Sequence, residues 1–149
     1  MAKIEFACLP TAIGSMPHTE PEEACSIVMK YLPAIPAWPQ LPKRSPKENM
    51  CIQFSEGFPG IVIARDKIHI EPLANFETAL GQIYADCEQD NPSKYGVSEK
   101  YAAGLHAFLS QVKKTEIVKG QITGPITWGL TVTRQDGLAI LYDDTLAEV

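Results

Sequence analysis

Prolines crowd the first part of this chain and limit the structures open to it. Of the twelve prolines, nine lie within the first 60 residues. One run excludes a continuous helix over 32–44, because proline lacks the helical N–H donor and clashes with the preceding turn; it comprises Pro33, Pro36, Pro39, Pro42 and Pro46. Ile35, Trp38 and Leu41 lie within the run, which is therefore too apolar for a disordered linker. We predict a short strand here with stiff, ordered flanks.

Four amphipathic helices are predicted from capping residues followed by an apolar stripe. Thr19 with Glu22, and likewise Ser45 with Glu48, have the spacing of a capping box. Each cap precedes apolar residues at helical spacing. The four predicted N-caps are Thr19, Ser45, Asn75 and Ser98.

Strands are predicted between these helices, near 11–14, 35–38 and 117–122. Strands that alternate with amphipathic helices indicate βαβ units and a parallel sheet. Two β-hairpins are expected as insertions. One joins G-I-V-I-A to K-I-H-I-E through Arg65-Asp66, and the other turns at Gln135-Asp136-Gly137. The pattern predicts an α/β fold.

Composition and charge narrow the classes of function. The 149 residues, 45% of them hydrophobic, suit a single domain over 1–149 with its own core. The net charge of −5 gives no electrostatic support to binding of nucleic acid or of an anionic membrane. The sequence has no apolar run that would span a bilayer and no signal-peptide core. We expect a cytoplasmic protein.

The cysteines are too widely spaced for a metal site. No two of them form a C-x-x-C pair, and none lies close in sequence to a histidine with metal-ligand spacing. We predict inert thiols and no metal ligands for Cys8, Cys25, Cys51 and Cys87.

Three segments lie where predicted strands end, which is where parallel α/β folds bind ligands. Glycine lets a ligand approach the backbone, N–H groups near a helix start favour anions, and arginine binds carboxylates in bidentate geometry. The candidate residues are Gly14, Ser15, His18, Gln40, Lys43, Arg44, Thr123, Gly124, Thr127 and Trp128. The same Gly-Ser and Gly-Pro pairs also suit turns that bind nothing, and this alternative stays open.

The three histidines receive different interpretations. His18 is either a polar pocket residue or a surface turn residue. His69 is interpreted as a solvated strand residue, and His106 as an edge residue of the fourth helix rather than a ligand.

Two motifs resemble the catalytic barrel of cobalamin-independent methionine synthase. I-G-S-M-P-H-T at 13–19 is similar to that family's I-G-S-[FL]-P-[QH]-T opening, and Q-I-T-G-P-I-T-W at 121–128 resembles its L-T-G-P-[VT]-T segment. L-P-K-R-S-P-K-E-N-M-C-I-Q-F-S-E-G at 41–57 resembles the shorter archaeal-type and corrinoid-linked members, grouped with uroporphyrinogen decarboxylase in one barrel superfamily. The similarity is scattered over 11–149.

The resemblance implies a (β/α)8 TIM barrel that moves a methyl group to a thiol activated by zinc. It implies substrate contacts at Ile13, Gly14 and Ser15, and an active-site lining at Thr123, Gly124 and Trp128. In the family, an H-x-C pair, a glutamate and a distant cysteine hold the zinc, on later strands of the barrel. This chain lacks a counterpart of these ligands, so zinc is expected only in a full-length barrel.

A second departure from the family concerns the substrate. The methionine synthases hold the substrate amine with a glutamate, where this chain has Lys43-Arg44-Ser45. Two cations favour a substrate that presents an acid, or a corrinoid protein partner. A complete barrel needs roughly 250 residues. We therefore expect the N-terminal portion of a barrel, incomplete, with exposed strand edges that favour a homodimer.

Three functions are compatible with these observations. The first is the substrate-binding part of a zinc-dependent methyltransferase acting on a thiol such as homocysteine. The second is a non-catalytic module that binds a small molecule or itself. The third is a decarboxylase like uroporphyrinogen decarboxylase, in which Lys43 and Arg44 bind substrate carboxylates.

Overall fold

A computed structural model describes residues 7–65, 67–112 and 117–147. The described residues form five α-helices and three short strands. The helices are α1 (Pro21–Tyr31), α2 (Met50–Gln53), α3 (Phe76–Glu88), α4 (Ala103–Gln111) and α5 (Pro125–Thr131). The strands are β1 (Ile61–Ala64), β2 (Lys67–Ile70) and β3 (Thr133–Arg134). Single 3₁₀ turns occur at Pro46–Glu48, Pro92–Tyr95 and Ile140–Tyr142.

The sheet has the strand order β1-β2-β3. β1 and β2 pair antiparallel, with Ile61 opposite Ile70, so the first predicted hairpin is confirmed. Its predicted turn residue Asp66 lies outside the described residues. β3 runs parallel to β2 and turns back at Gly137, whose φ is +85°, to a bridge between Thr133 and Ala139. The second predicted hairpin is therefore also present.

The prediction of a partial (β/α)8 barrel is wrong. Over the described residues the structure is a small mixed α/β domain with five helices and a three-stranded sheet. The segments 11–14, 35–38 and 117–122 form no strands, and their strand-like pairings among the described residues are isolated parallel bridges, Ser15 to Gln40 and Ala37 to Lys119. Pro36 and Pro39 explain this, because each stands directly before a bridged residue and has no N–H with which to extend the ladder.

Two hydrophobic clusters hold these elements together. One fills the space between the sheet, α3 and the segment after β3; its buried members are Ile52, Ile68, Ile70, Leu80, Val132, Ile140 and Leu146. The other joins Cys25 of α1, Trp38 and Phe108 of α4. α1 therefore packs on α4 over the proline-rich segment. Among the described residues, no helix combines the length and the apolarity needed to cross a membrane.

Three of the four predicted N-caps act differently from the prediction. α1 begins after Glu20, because Pro21 occupies its first position and leaves Thr19 outside the helix. Ser45 does cap as predicted, its Oγ accepting from Lys47 N, but it caps only the 3₁₀ turn. Asn75 precedes α3 without a side-chain cap, and Ser98 precedes the start of α4 by a full turn.

Candidate functional site

Gln40 joins the first two candidate segments through its backbone. Its N–H donates to the carbonyl of Gly14 at 2.8 Å, and its carbonyl accepts from Met16 N at 2.9 Å. On the other side of the same segment, Lys119 N donates to the carbonyl of Pro36 at 2.9 Å. The I-G-S and Q-I-T-G motif segments, distant in the sequence, therefore lie on either side of the proline-rich segment.

Gly14 is buried against the side chain of Gln121. Its φ of +117° favours glycine, and a Cβ at this position would lie 1.7 Å from Gln121 Nε2. Its lack of a side chain therefore makes room for Gln121. Ile13 and Ser15, on either side of it, are exposed to solvent.

Glutamine side chains connect the three segments to α2. Gln121 Nε2 donates to the Trp38 carbonyl at 3.0 Å and to Gln40 Oε1 at 3.3 Å. Gln40 Nε2 donates to Gln53 Oε1 at 2.8 Å, and Gln53 Nε2 donates to the carbonyl of Tyr101 at 2.6 Å. Gln40 and Gln53 are almost completely buried. Because a buried amide is costly unless bonded, this amide chain specifies how the segments sit together.

The sequence analysis did not identify two members of this amide chain, Gln53 and Gln121. Gln53 lies between Ile52 and Phe54 in an apolar stretch, and a polar residue in such a place signals a buried hydrogen bond. Gln121 belongs to the second motif, but only the tertiary contact with Gly14 shows its partner.

A cavity of about 450 Å³ lies between the start of α1, the L-P-K-R segment and α4. We call it the acidic cavity. The start of α1, the arginine of the L-P-K-R segment and one face of α4 line it: Glu20, Pro21, Glu22, Arg44, Glu99, Ala103, His106, Ala107 and Ser110. Of the predicted site residues, Arg44 lines this cavity and Lys43 does not.

The charge of Arg44 is already compensated by a buried glutamate. Its Nη1 lies 3.3 Å from Oε1 of Glu48, whose side chain is fully buried. Burial raises the pKa of Glu48 above its ordinary value, and the nearby Arg44 opposes that rise. Because the acidic cavity also presents Glu20, Glu22 and Glu99, its charge is negative. The arrangement suits a cationic group such as an ammonium better than a carboxylate.

The two histidines His106 and His18 have different surroundings. His106 Nε2 lies 3.0 Å from the Val97 carbonyl, which only accepts, so Nε2 carries the proton. His106 was interpreted as an edge residue, yet it lines the acidic cavity. His18 is half-buried, and its Nδ1 is buried with no hydrogen-bond partner among the described residues.

The remaining candidate residues lie apart from the acidic cavity. Thr123 Oγ1 donates to the Met50 carbonyl at 2.8 Å, and Trp128 Nε1 donates to Ser55 Oγ at 2.8 Å. Gly124 is the N-cap residue of α5. The T-G-P-I-T-W segment thus ties α5 to α2. The structure brings together Gly14, Ser15 and Gln40, places Arg44 at the acidic cavity, and separates Thr123 and Trp128 from it.

The surroundings of Cys25 agree with the prediction that its thiol is inert. It is buried on α1, and its Sγ lies 3.7 Å from the Gly104 carbonyl. Burial, together with the charge of Glu22, raises the pKa of Cys25 to about 11, so the thiolate is scarce at neutral pH.

Within 7–65, 67–112 and 117–147, no three His, Cys, Asp or Glu side chains are grouped so as to hold a metal ion. No protein-family model, no curated protein and no solved structure matches this chain.

Proposed function

We propose that this chain is the substrate-binding part of a methyltransferase similar to methionine synthase, and that it binds a thiol amino acid such as homocysteine in the acidic cavity. One observation carries the proposal. The two segments that resemble the family both hydrogen-bond to Gln40, Gly14 through its backbone and Gln121 through its side chain. Both segments of the resemblance therefore support one local structure around Gln40, in the segment that leads to Arg44 of the acidic cavity.

The charge of the acidic cavity supports an amine-bearing substrate. Glu20, Glu22 and Glu99 offer carboxylates to an ammonium group, while Arg44 is held by Glu48. A decarboxylase like uroporphyrinogen decarboxylase needs cations for substrate carboxylates, and this cavity offers a compensated one. The charge balance therefore favours the methyltransferase proposal over that alternative.

The chain's own groups have defined tasks in this proposal. The carboxylates bind and orient the substrate amine, and Ser110 in the lining offers a neutral hydroxyl. In the family that the motifs resemble, zinc would activate the thiol, and the described residues contain no group of ligands for it. A cytoplasmic location, a corrinoid protein partner and a homodimer remain parts of the proposal.

The test is an NMR titration of the isotope-labelled chain with L-homocysteine and two analogues. 4-Mercaptobutanoate lacks the amine, and 3-mercaptopropylamine lacks the carboxylate. We expect shifts around α1 and α4 with homocysteine and the amine, and at least a tenfold weaker effect with the acid, because only the ammonium pairs with the glutamates.

Matched variants separate specific binding from general charge. Glu22→Gln and Glu99→Gln line the acidic cavity and should weaken homocysteine binding, whereas Glu23→Gln is an exposed control on α1 that does not line it. Equal affinity for 4-mercaptobutanoate and for the amine, or equal losses in all three variants, would contradict the proposal. Metal analysis of the same sample reports whether zinc accompanies the chain.

A further inference from the structure

A second cavity, the apolar cavity, lies between α3, α5 and the segment that follows Ile140. Its volume is about 380 Å³. Every described residue of its lining is apolar; those that bear on its chemistry are Phe54, Phe58, Ile83, Ile126, Trp128 and Leu146. None of its lining residues also lines the acidic cavity. It is a separate feature of the molecule.

Trp128 presents only hydrocarbon to this cavity. Its indole N–H donates to Ser55 Oγ at 2.8 Å, and Ser55 is buried. Its ring centroid lies 5.0 Å from that of Phe58, with the two planes tilted by 58°. The donor of the indole is thus satisfied by the protein, and the aromatic pair has the geometry that favours a further edge-to-face contact.

Among the described residues, the lining side chains offer no polar partner to a charged ligand or to a water molecule. A charge placed among these side chains would be partly desolvated without gaining a partner, which is unfavourable. Water also needs polar partners to stay in a cavity, and the described lining side chains supply none. An apolar molecule would instead gain dispersion contacts with the walls.

We propose that the apolar cavity binds one uncharged aromatic molecule. An apolar cavity of roughly 150 Å³ accommodates a benzene ring. The larger volume here, about 380 Å³, therefore takes about two to three rings. This inference goes beyond the proposed function, because a zwitterionic amino acid is excluded from this cavity by its charges.

The probe is N-phenyl-1-naphthylamine, a neutral dye whose fluorescence rises in apolar surroundings. We expect saturable binding of one dye per chain, with energy transfer from tryptophan. In a Trp38→Phe background, Trp128 is the remaining tryptophan of the two, so the transfer then reports the apolar cavity alone. If Trp38→Phe fails to fold, dye binding is measured in the unaltered chain and assigned to the apolar cavity by the isoleucine variants described next.

Two exposed isoleucines provide the matched variants. Ile126 lines the cavity and is 65% exposed, while Ile122 is 76% exposed and does not line it. Ile126→Glu places a charge at the mouth and should raise the dissociation constant at least tenfold, and Ile122→Glu should change it less than about twofold. Both side chains are largely in solvent, so neither change should unfold the chain.

Three results would overturn the proposal: no saturable binding, more than one dye per chain, or equal losses in the two glutamate variants. Dye binding that disappears as the chain dimerises, followed by analytical ultracentrifugation, would assign the apolar cavity to a second copy instead. None of these outcomes depends on homocysteine binding, so the two proposals fail independently.

Discussion

Replacing Gly14 by alanine tests the contact that brings the two motif segments together. A Cβ at Gly14 would lie 1.7 Å from Gln121 Nε2 and 2.5 Å from its Cδ, so the Gln121 side chain must leave. Its departure breaks its hydrogen bonds to the Trp38 carbonyl and Gln40 Oε1. Backbone strain at φ +117° adds to this loss.

The expected cost follows from these two effects. Unfavourable backbone angles cost about 1–3 kcal/mol. A buried acceptor left without its donor costs about 1–3 kcal/mol more. We expect Gly14→Ala to lower the free energy of unfolding by about 2–6 kcal/mol, which is a large part of the stability of a domain of this size.

Urea unfolding, followed by far-UV circular dichroism and tryptophan fluorescence, measures the loss. Gly57→Ala is the matched control, since Gly57 has a φ of +82° and nothing within 4 Å of a new Cβ. The control should show the strain alone, about 1 kcal/mol. The double variant Gly14→Ala/Gln121→Ala should cost less than the sum of its single variants by at least about 1 kcal/mol, because the clash is gone.

A cost for Gly14→Ala equal to that of Gly57→Ala would refute the reasoning. So would single-variant costs that add up to the cost of the double variant, since the two residues would then not be in contact.

Two further predictions concern buried side chains. Burial raises the pKa of Glu48 in the folded chain, so the unaltered chain should lose stability as pH rises through that pKa. Glu48→Gln removes this titration and should make the free energy of unfolding less dependent on pH. Urea unfolding at about pH 4 and about pH 7 measures this, and an unchanged slope in the variant would contradict it. Phe108→Ala should lower the free energy of unfolding by about 3–5 kcal/mol, because Phe108 is 2% exposed in the cluster that joins α1 to α4. Leu109→Ala, on the exposed face of α4, is the control. If Phe108→Ala lowers the free energy of unfolding by less than about 1 kcal/mol in chemical unfolding, the cluster is not a packed core.

Local signals predicted the elements well where neighbouring residues alone decide them. α3 appears where the apolar stripe predicted it, and the β1–β2 hairpin appears around its short turn. Helix starts were less reliable. Pro21 displaced the start of α1 from Thr19. Ser98 instead donates its N–H to Glu56 Oε2 at 2.7 Å and its hydroxyl to Glu56 Oε1 at 2.6 Å. Such a partner, distant in sequence, is invisible to a capping pattern.

The candidate site shows the same division. Arg44 was predicted as a carboxylate ligand from its position before a helix, yet it pairs with the buried Glu48 that follows it. Glu20, Glu22 and Glu99 gain a common role only because α1 packs against α4. The electrostatic character of the acidic cavity is therefore a property of packing, and the pair Lys43-Arg44 in the sequence indicated the opposite sign.

The sequence by itself determined where a helix is forbidden, where hairpins turn and which stripes must be buried. These follow from the missing N–H of proline, the freedom of glycine and the cost of exposing apolar side chains. Only the tertiary structure decided that the predicted parallel strands would shrink to isolated bridges held by an amide chain. A backbone hydrogen bond between distant segments depends on both partners and on the prolines between them, and no local pattern records that pairing.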